Sequence, residues 1–111
     1  MPDKINKETQ EKIQQLQIFE QNLQNLLLQK QAFQFELNET ENALKEISKT
    51  KEDVYKLIGQ VMLKASKSEI EKELNQKKDI LNLRVKAIEK QEIQLKEETE
   101  KLKEEVIKKI K

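Results

Sequence analysis

The chain has 111 residues, 39% of them charged and 35% apolar, with 22 Lys+Arg against 21 Asp+Glu. Its mean hydropathy of -0.90 leaves too little apolar surface for a compact single-chain core, and a formal charge of +1 supplies no overall field for nucleic acid or an anionic membrane. With no Cys and no His, disulfides, thiolate catalysis, Cys/His zinc sites and histidine acid–base chemistry are excluded.

The chain opens on Met1-Pro2-Asp3-Lys4, without the apolar core of a signal peptide, and no apolar run approaches the ~18 residues that span a bilayer. A cytoplasmic protein with no membrane partner is expected. Pro2 and Asp3 suit a helix start near residue 4, with Asp3 as N-cap.

From there Leu16, Leu23, Leu37 and Leu44 recur at multiples of seven, and Phe19, Leu26, Phe33 and Ile47 keep the same spacing three residues later. This is the a/d seam of a coiled coil. Lys30 and Thr40 fall on seam positions; they read as ordinary solvated residues or as markers of register. Ile13, Leu27, Leu28 and Phe35 lie off the stripe and widen the apolar surface. Nothing interrupts the pattern before Ser48-Lys49-Thr50, so a helix over about 4–49 is expected. At 1.5 Å per residue its length is roughly 65–70 Å.

The pattern then changes. Val54-Tyr55-Lys56-Leu57-Ile58 and Val61-Met62-Leu63-Lys64-Ala65 have strand character, and Gly59-Gln60 between them places glycine where a type II′ turn needs it. A β-hairpin over about 54–65 is predicted, with Ile58 opposite Val61, Leu57 opposite Met62, Lys56 opposite Leu63, Tyr55 opposite Lys64 and Val54 opposite Ala65. Both faces are mainly apolar and the edges are open, which a lone two-stranded ribbon does not tolerate well. The hairpin is therefore expected to join hairpins of other subunits, through Val54, Tyr55, Leu57, Ile58, Gly59, Val61, Met62 and Leu63.

Ser66 with Glu69, or Ser68 with Glu71, offers a capping box for a second helix over about 67–110. Leu74, Leu81, Ile88, Leu95 and Leu102 continue the heptads, but Lys78, Glu92 and Thr99 interrupt them, so this seam reads as the weaker one. Glu73 with Lys77, Glu92 with Lys96 and Glu97 with Lys101 read as i,i+4 surface pairs. Arms of equal length joined by a compact bend should run antiparallel. Ile5 and Ile13 then come near Val106, Ile107 and Ile110 at the end far from the hairpin, either as plain end packing or as an apolar contact surface.

The run VYKLIGQVMLK, followed by a polar cap and a heptad helix, resembles the prefoldin family, in particular its beta type, whose eukaryotic counterpart is subunit six. In architecture the resemblance covers the whole chain, 1–111, as one domain. The alpha type carries two hairpins; this chain has room for one. Gln60 departs from relatives that carry proline after the glycine, and leaves the turn intact.

The resemblance implies a mainly α fold, a long antiparallel two-helix coiled coil whose hairpin enters an intersubunit β-barrel. It implies a hexamer of two alpha and four beta subunits that holds non-native protein at the coiled-coil tips, without ATP or any cofactor, and passes it to a group II chaperonin. Ile5, Ile13, Val106, Ile107 and Ile110 become client-contacting residues by their place in the arms. A structural spacer or scaffold is the alternative, and it leaves the hairpin unexplained. Nucleic-acid binding finds no support, because the lysines are interspersed with acids and lack aromatic neighbours. Nor does catalysis, since no apolar pocket would perturb the exposed carboxylates.

Overall fold

A computed structural model describes residues 6–110, which run as α1 (Lys7–Lys49), β1 (Val54–Ile58), β2 (Val61–Ala65) and α2 (Lys67–Ile110). α1 starts where Asn6 closes its first turn. The Asn6 carbonyl accepts from Gln10 N–H at 3.0 Å, and its side-chain oxygen accepts from Thr9 N–H at 2.7 Å, the geometry of an N-cap. The start thus lies later than residue 4, and the expected cap, Asp3, lies outside the described residues.

α1 ends because its last carbonyls are taken by side chains. Thr50 Oγ1 donates to Glu46 O and Ser48 Oγ to Lys45 O, both at 2.8 Å. Thr50 N–H turns back to Ile47 O at 3.1 Å, and Lys67 Nζ reaches Thr50 O at 3.2 Å. Hydroxyl and ammonium groups thereby satisfy acceptors that a helix end leaves open.

β1 and β2 pair antiparallel in the expected register, Val54↔Ala65 through Ile58↔Val61. Gly59 alone has positive φ, +60°, among the described residues. One left-handed residue at the first central position is the signature of a type II′ turn. Ser66 then caps α2: its Oγ accepts from Glu69 N–H at 3.1 Å and its carbonyl from Ile70 N–H at 3.1 Å. Ser68, the other candidate, sits inside the helix.

Positions shielded from solvent trace both seams. On α1 they include Leu16, Phe19, Leu23, Leu26, Lys30, Phe33, Leu37, Thr40, Leu44 and Ile47; on α2, Leu74, Lys78, Leu81, Val85, Ile88, Glu92, Leu95, Thr99, Leu102 and Val106. The alternating steps of three and four are those of heptads. The deepest apolar side chains, Leu81, Ile88, Leu102 and Val106, all belong to α2, the seam expected to be weaker. Two of its polar members, Thr99 and Glu92, find partners inside. Thr99 Oγ1 donates to Leu95 O at 2.7 Å, as Thr40 Oγ1 does to Glu36 O at 2.8 Å on α1, and Glu92 meets Lys30.

Two compact units result. One consists of the described parts of 1–31 and 86–111, the other of Ala32–Val85, hairpin included. In the first, Lys12 meets Glu105 and Lys30 meets Glu92, so α1 and α2 run antiparallel there. In the second, Arg84 lies over the Phe33 ring at 5.6 Å while Lys67 reaches Thr50, again an antiparallel pairing.

Candidate functional site

The hairpin belongs to the Ala32–Val85 unit, and its two faces differ. Val54, Lys56 and Ala65 share one face by register and are half-buried. Lys56 fixes that face to the start of α2, its Nζ lying 2.9 and 3.0 Å from the two Glu73 carboxylate oxygens. Lys64 and Asp53 add a 3.4 Å pair at the root. Toward the turn the support ends: Ile58, Val61 and Leu63 are exposed although they lie on the same face. On the other face Leu57 and Met62 are each 65% exposed, with Tyr55 open beside them.

All eight residues expected to serve assembly thus lie on one short ribbon. Only Val54 is half-buried; the others are open to solvent. This ribbon leaves its apolar side chains and its strand edges uncovered by its own chain.

The second group lies in the other unit. Ile107 and Ile110 are each 52% exposed, and Ile13 is half-buried. Val106 differs: at 7% exposure it is a seam residue and presents no free surface. Its neighbour Ile107 projects outward because one helical step of 100° separates them. Ile5 lies outside the described residues.

The exposed members fall on one flank. Asn22, Asn25 and Gln29 of α1 and Gln91, Gln94 and Glu98 of α2 line an open groove floored by Leu26 and Leu95. These polar residues are the g and c positions of their heptads, so the g sides of both helices face the same way. Ile13, Leu27, Ile93, Ile107 and Ile110 occupy e and b positions and therefore belong to the opposite flank. One side of this unit is rich in amides. The other carries Ile13, Leu27, Ile93, Ile107 and Ile110, while Ile18, at a c position, is an exposed apolar side chain on the amide side.

Charge pairs link the two helices beneath these flanks. Lys12 lies 3.3 Å from Glu105 and 3.6 Å from Glu8, and the contact with Glu105 is the main reason its ammonium is held above the ordinary lysine range. Lys30 Nζ stands 2.8 Å from Glu92 Oε1 with both side chains mostly shielded, 20% and 11% exposed. The pair is an ionic contact at hydrogen-bonding distance. Proximity to Glu92, outweighing desolvation, also raises the Lys30 pKa.

Spacing within α2 pairs both glutamates differently. Glu73 turns to Lys56 instead of Lys77, and Glu92 turns to Lys30 instead of Lys96. Seam position was the available signal for Glu92: a side chain at an a position points at the facing helix, away from its i+4 neighbour. Among the described residues no acidic cluster has the arrangement of a metal site, and no helix is long and apolar enough to cross a membrane.

Comparison with known proteins agrees with this architecture. The family model described as prefoldin subunit matches residues 10–111. A prefoldin subunit beta of Saccharolobus islandicus is 36% identical over 104 residues, covering 92% of this chain and 82% of the relative. One from Pyrobaculum islandicum is 40% identical over 90 residues, covering 79% and 72%. The crystal structure of the prefoldin beta subunit from Thermococcus strain KS-1 superposes with a TM-score of 0.90 at 33% identity, covering 97% of this chain and 96% of that one. Helix, single hairpin and helix, with sequence likeness running through all three, establish that the chain belongs to the prefoldin subunit family and within it resembles the beta type.

Proposed function

We propose that this chain is a holdase subunit: it keeps non-native proteins from aggregating, without ATP, and passes them to a group II chaperonin in the cytoplasm. Family membership carries the chaperone role in general, since prefoldin subunits are chaperone components and not enzymes. The single observation that carries the rest is the hairpin, whose apolar side chains are held out on a rigid turn with nothing of their own chain over them. Val54, Tyr55, Leu57, Ile58, Gly59, Val61, Met62 and Leu63 would complete an intersubunit β-barrel with alpha-type subunits and further copies of this chain, two alpha to four beta.

Client contact is assigned to Ile13, Ile107 and Ile110, whose placement on one flank supports a shared surface, with Ile5 as a further member. Val106 would support that surface from the seam. Non-native segments offer exposed apolar side chains, and a flank bearing spaced isoleucines can hold them weakly and reversibly.

The test mixes the chain with an alpha-type subunit and measures native mass, then measures suppression of aggregation of a denatured client. A defined hetero-oligomer is expected. Ile107→Ser/Ile110→Ser should preserve that mass and weaken the suppression, whereas Gln91→Ala/Gln94→Ala on the amide flank should change neither. Full holding activity in the isoleucine variant would remove the arm-end assignment, and a chain that stays monomeric with its partner would favour a spacer.

A further inference from the structure

Among the described residues, Lys30 and Glu92 are the one oppositely charged pair in contact with both members at seam positions of the two helices. Each is flanked by apolar seam residues, Lys30 by Leu26 and Phe33 on α1 and Glu92 by Ile88 and Leu95 on α2. Bringing two charges into such a seam offers little net stability, because desolvation offsets most of the attraction. A cost of that kind at a single seam position is the known means by which coiled coils choose register and partner.

We propose that the Lys30–Glu92 pair selects α1 with α2 as coiled-coil partners and prevents like arms of different copies from pairing. The alternatives are concrete. Much of the α1 seam, Leu16, Phe19, Leu23, Leu26, Phe33 and Leu37, would suit a parallel α1–α1 coiled coil between two copies. In parallel pairs the a positions of the two helices meet directly, so Lys30 would face a second Lys30, desolvated and unpaired. A parallel α2–α2 pair would set Glu92 against Glu92 in the same way. Sliding one arm by a heptad fails too, since seven residues at 1.5 Å carry the carboxylate about 10 Å from the ammonium. The antiparallel pairing in the present register neutralises both charges, whereas like-arm pairing neutralises neither.

The geometry of the pair carries this inference, and it holds whether or not the arm ends bind clients. Its value is greatest where hairpins gather several copies, because arms with leucine-rich seams then meet at high local concentration.

The test uses the full chain with one introduced cysteine, Gln29→Cys. The natural chain has no cysteine, so a bis-maleimide can join only two α1 arms of different copies. Three backgrounds are compared by denaturing gel: the natural pair, the apolar pair Lys30→Leu/Glu92→Leu, and the exchanged pair Lys30→Glu/Glu92→Lys. The apolar pair should raise the yield of covalent dimer several-fold, and the exchanged pair should return it to the natural level. A Lys30→Leu/Glu92→Leu yield no higher than the natural one overturns the inference, as does an exchanged pair that cross-links like the apolar one. Loss of client holding leaves these yields unchanged, so failure of the holdase reading and failure of this one are distinguishable.

Discussion

Leu81 and Leu83 stand two residues apart on α2, one 2% and the other 67% exposed, and they allow burial to be weighed against helix propensity with a single substitution type. Leu81→Ala removes three carbons from the best-shielded side chain of the Ala32–Val85 unit. At ~0.8 kcal/mol per buried carbon, the transfer loss is about 2.4 kcal/mol. The cavity adds to this, but only in part. Leu81 also floors an open groove lined by Glu36, Gln76, Lys77, Ile80 and Arg84, so water and long side chains can move into the space. We therefore expect about 2.5–3.5 kcal/mol, in the lower half of the range for Leu→Ala at buried sites. Leu83→Ala should lie within about 0.5 kcal/mol of the natural chain, since alanine is at least as good a helix former and no packing is lost. Urea unfolding followed by circular dichroism at 222 nm, at one protein concentration, measures both. Equal effects at the two positions would refute the view that the heptad seam stabilises this unit.

Two further outcomes follow from local geometry. Gly59→Ala places a Cβ in open space, with nothing within 4 Å, so its cost comes from the +60° φ alone. That cost is about 1–2 kcal/mol, which should speed hydrogen exchange of the Val61–Ala65 amides roughly five- to thirtyfold while α1 and α2 exchange as before; unchanged exchange would rule out a left-handed turn residue. At alkaline pH, Lys12 and Lys30 set the direction. Both have folded-state pKa values raised by glutamate neighbours, so their stabilisation is complete below the ordinary lysine value and is lost as pH rises through the folded one. The urea midpoint should fall on going from about pH 9.5 to 11, and Lys12→Arg/Lys30→Arg, which keeps its charge, should blunt that fall; identical pH profiles would show the pairs contribute nothing.

Most of the fold was legible because its signals are short-range. Heptad spacing, Gly59 between two strand-like runs, and Ser66 ahead of Glu69 each act within a few residues, and the helices, the turn and the cap follow from them. The cap at Asn6 rests on the hydrogen bond from Thr9 N–H, which spacing alone does not single out. Among the arm-end residues, Val106 and Ile107 are chemically near-equivalent, and exposure distinguishes them: the seam phase carried through Thr99 and Leu102 puts Val106 inside. That phase was present in the sequence. Val85 and Val106 each fall four residues after a member of the α2 heptad series.

The place of Lys30 and Glu92 is harder to read from spacing, and the cause is physical. A polar residue at a seam position counts as a defect when one helix is read alone, because its cost is local: desolvation in an apolar stripe. What offsets that cost lies 62 positions away in sequence, and no spacing rule of one helix contains it. Thr40 and Thr99 resolve their own defect within four residues by bonding to Glu36 O and Leu95 O, so they are neutral toward partner choice. Lys30 and Glu92 have no such local remedy. Each is tolerated only when the other arrives from the facing helix, and this dependence separates residues that merely occupy a coiled coil from residues that determine which helices form it.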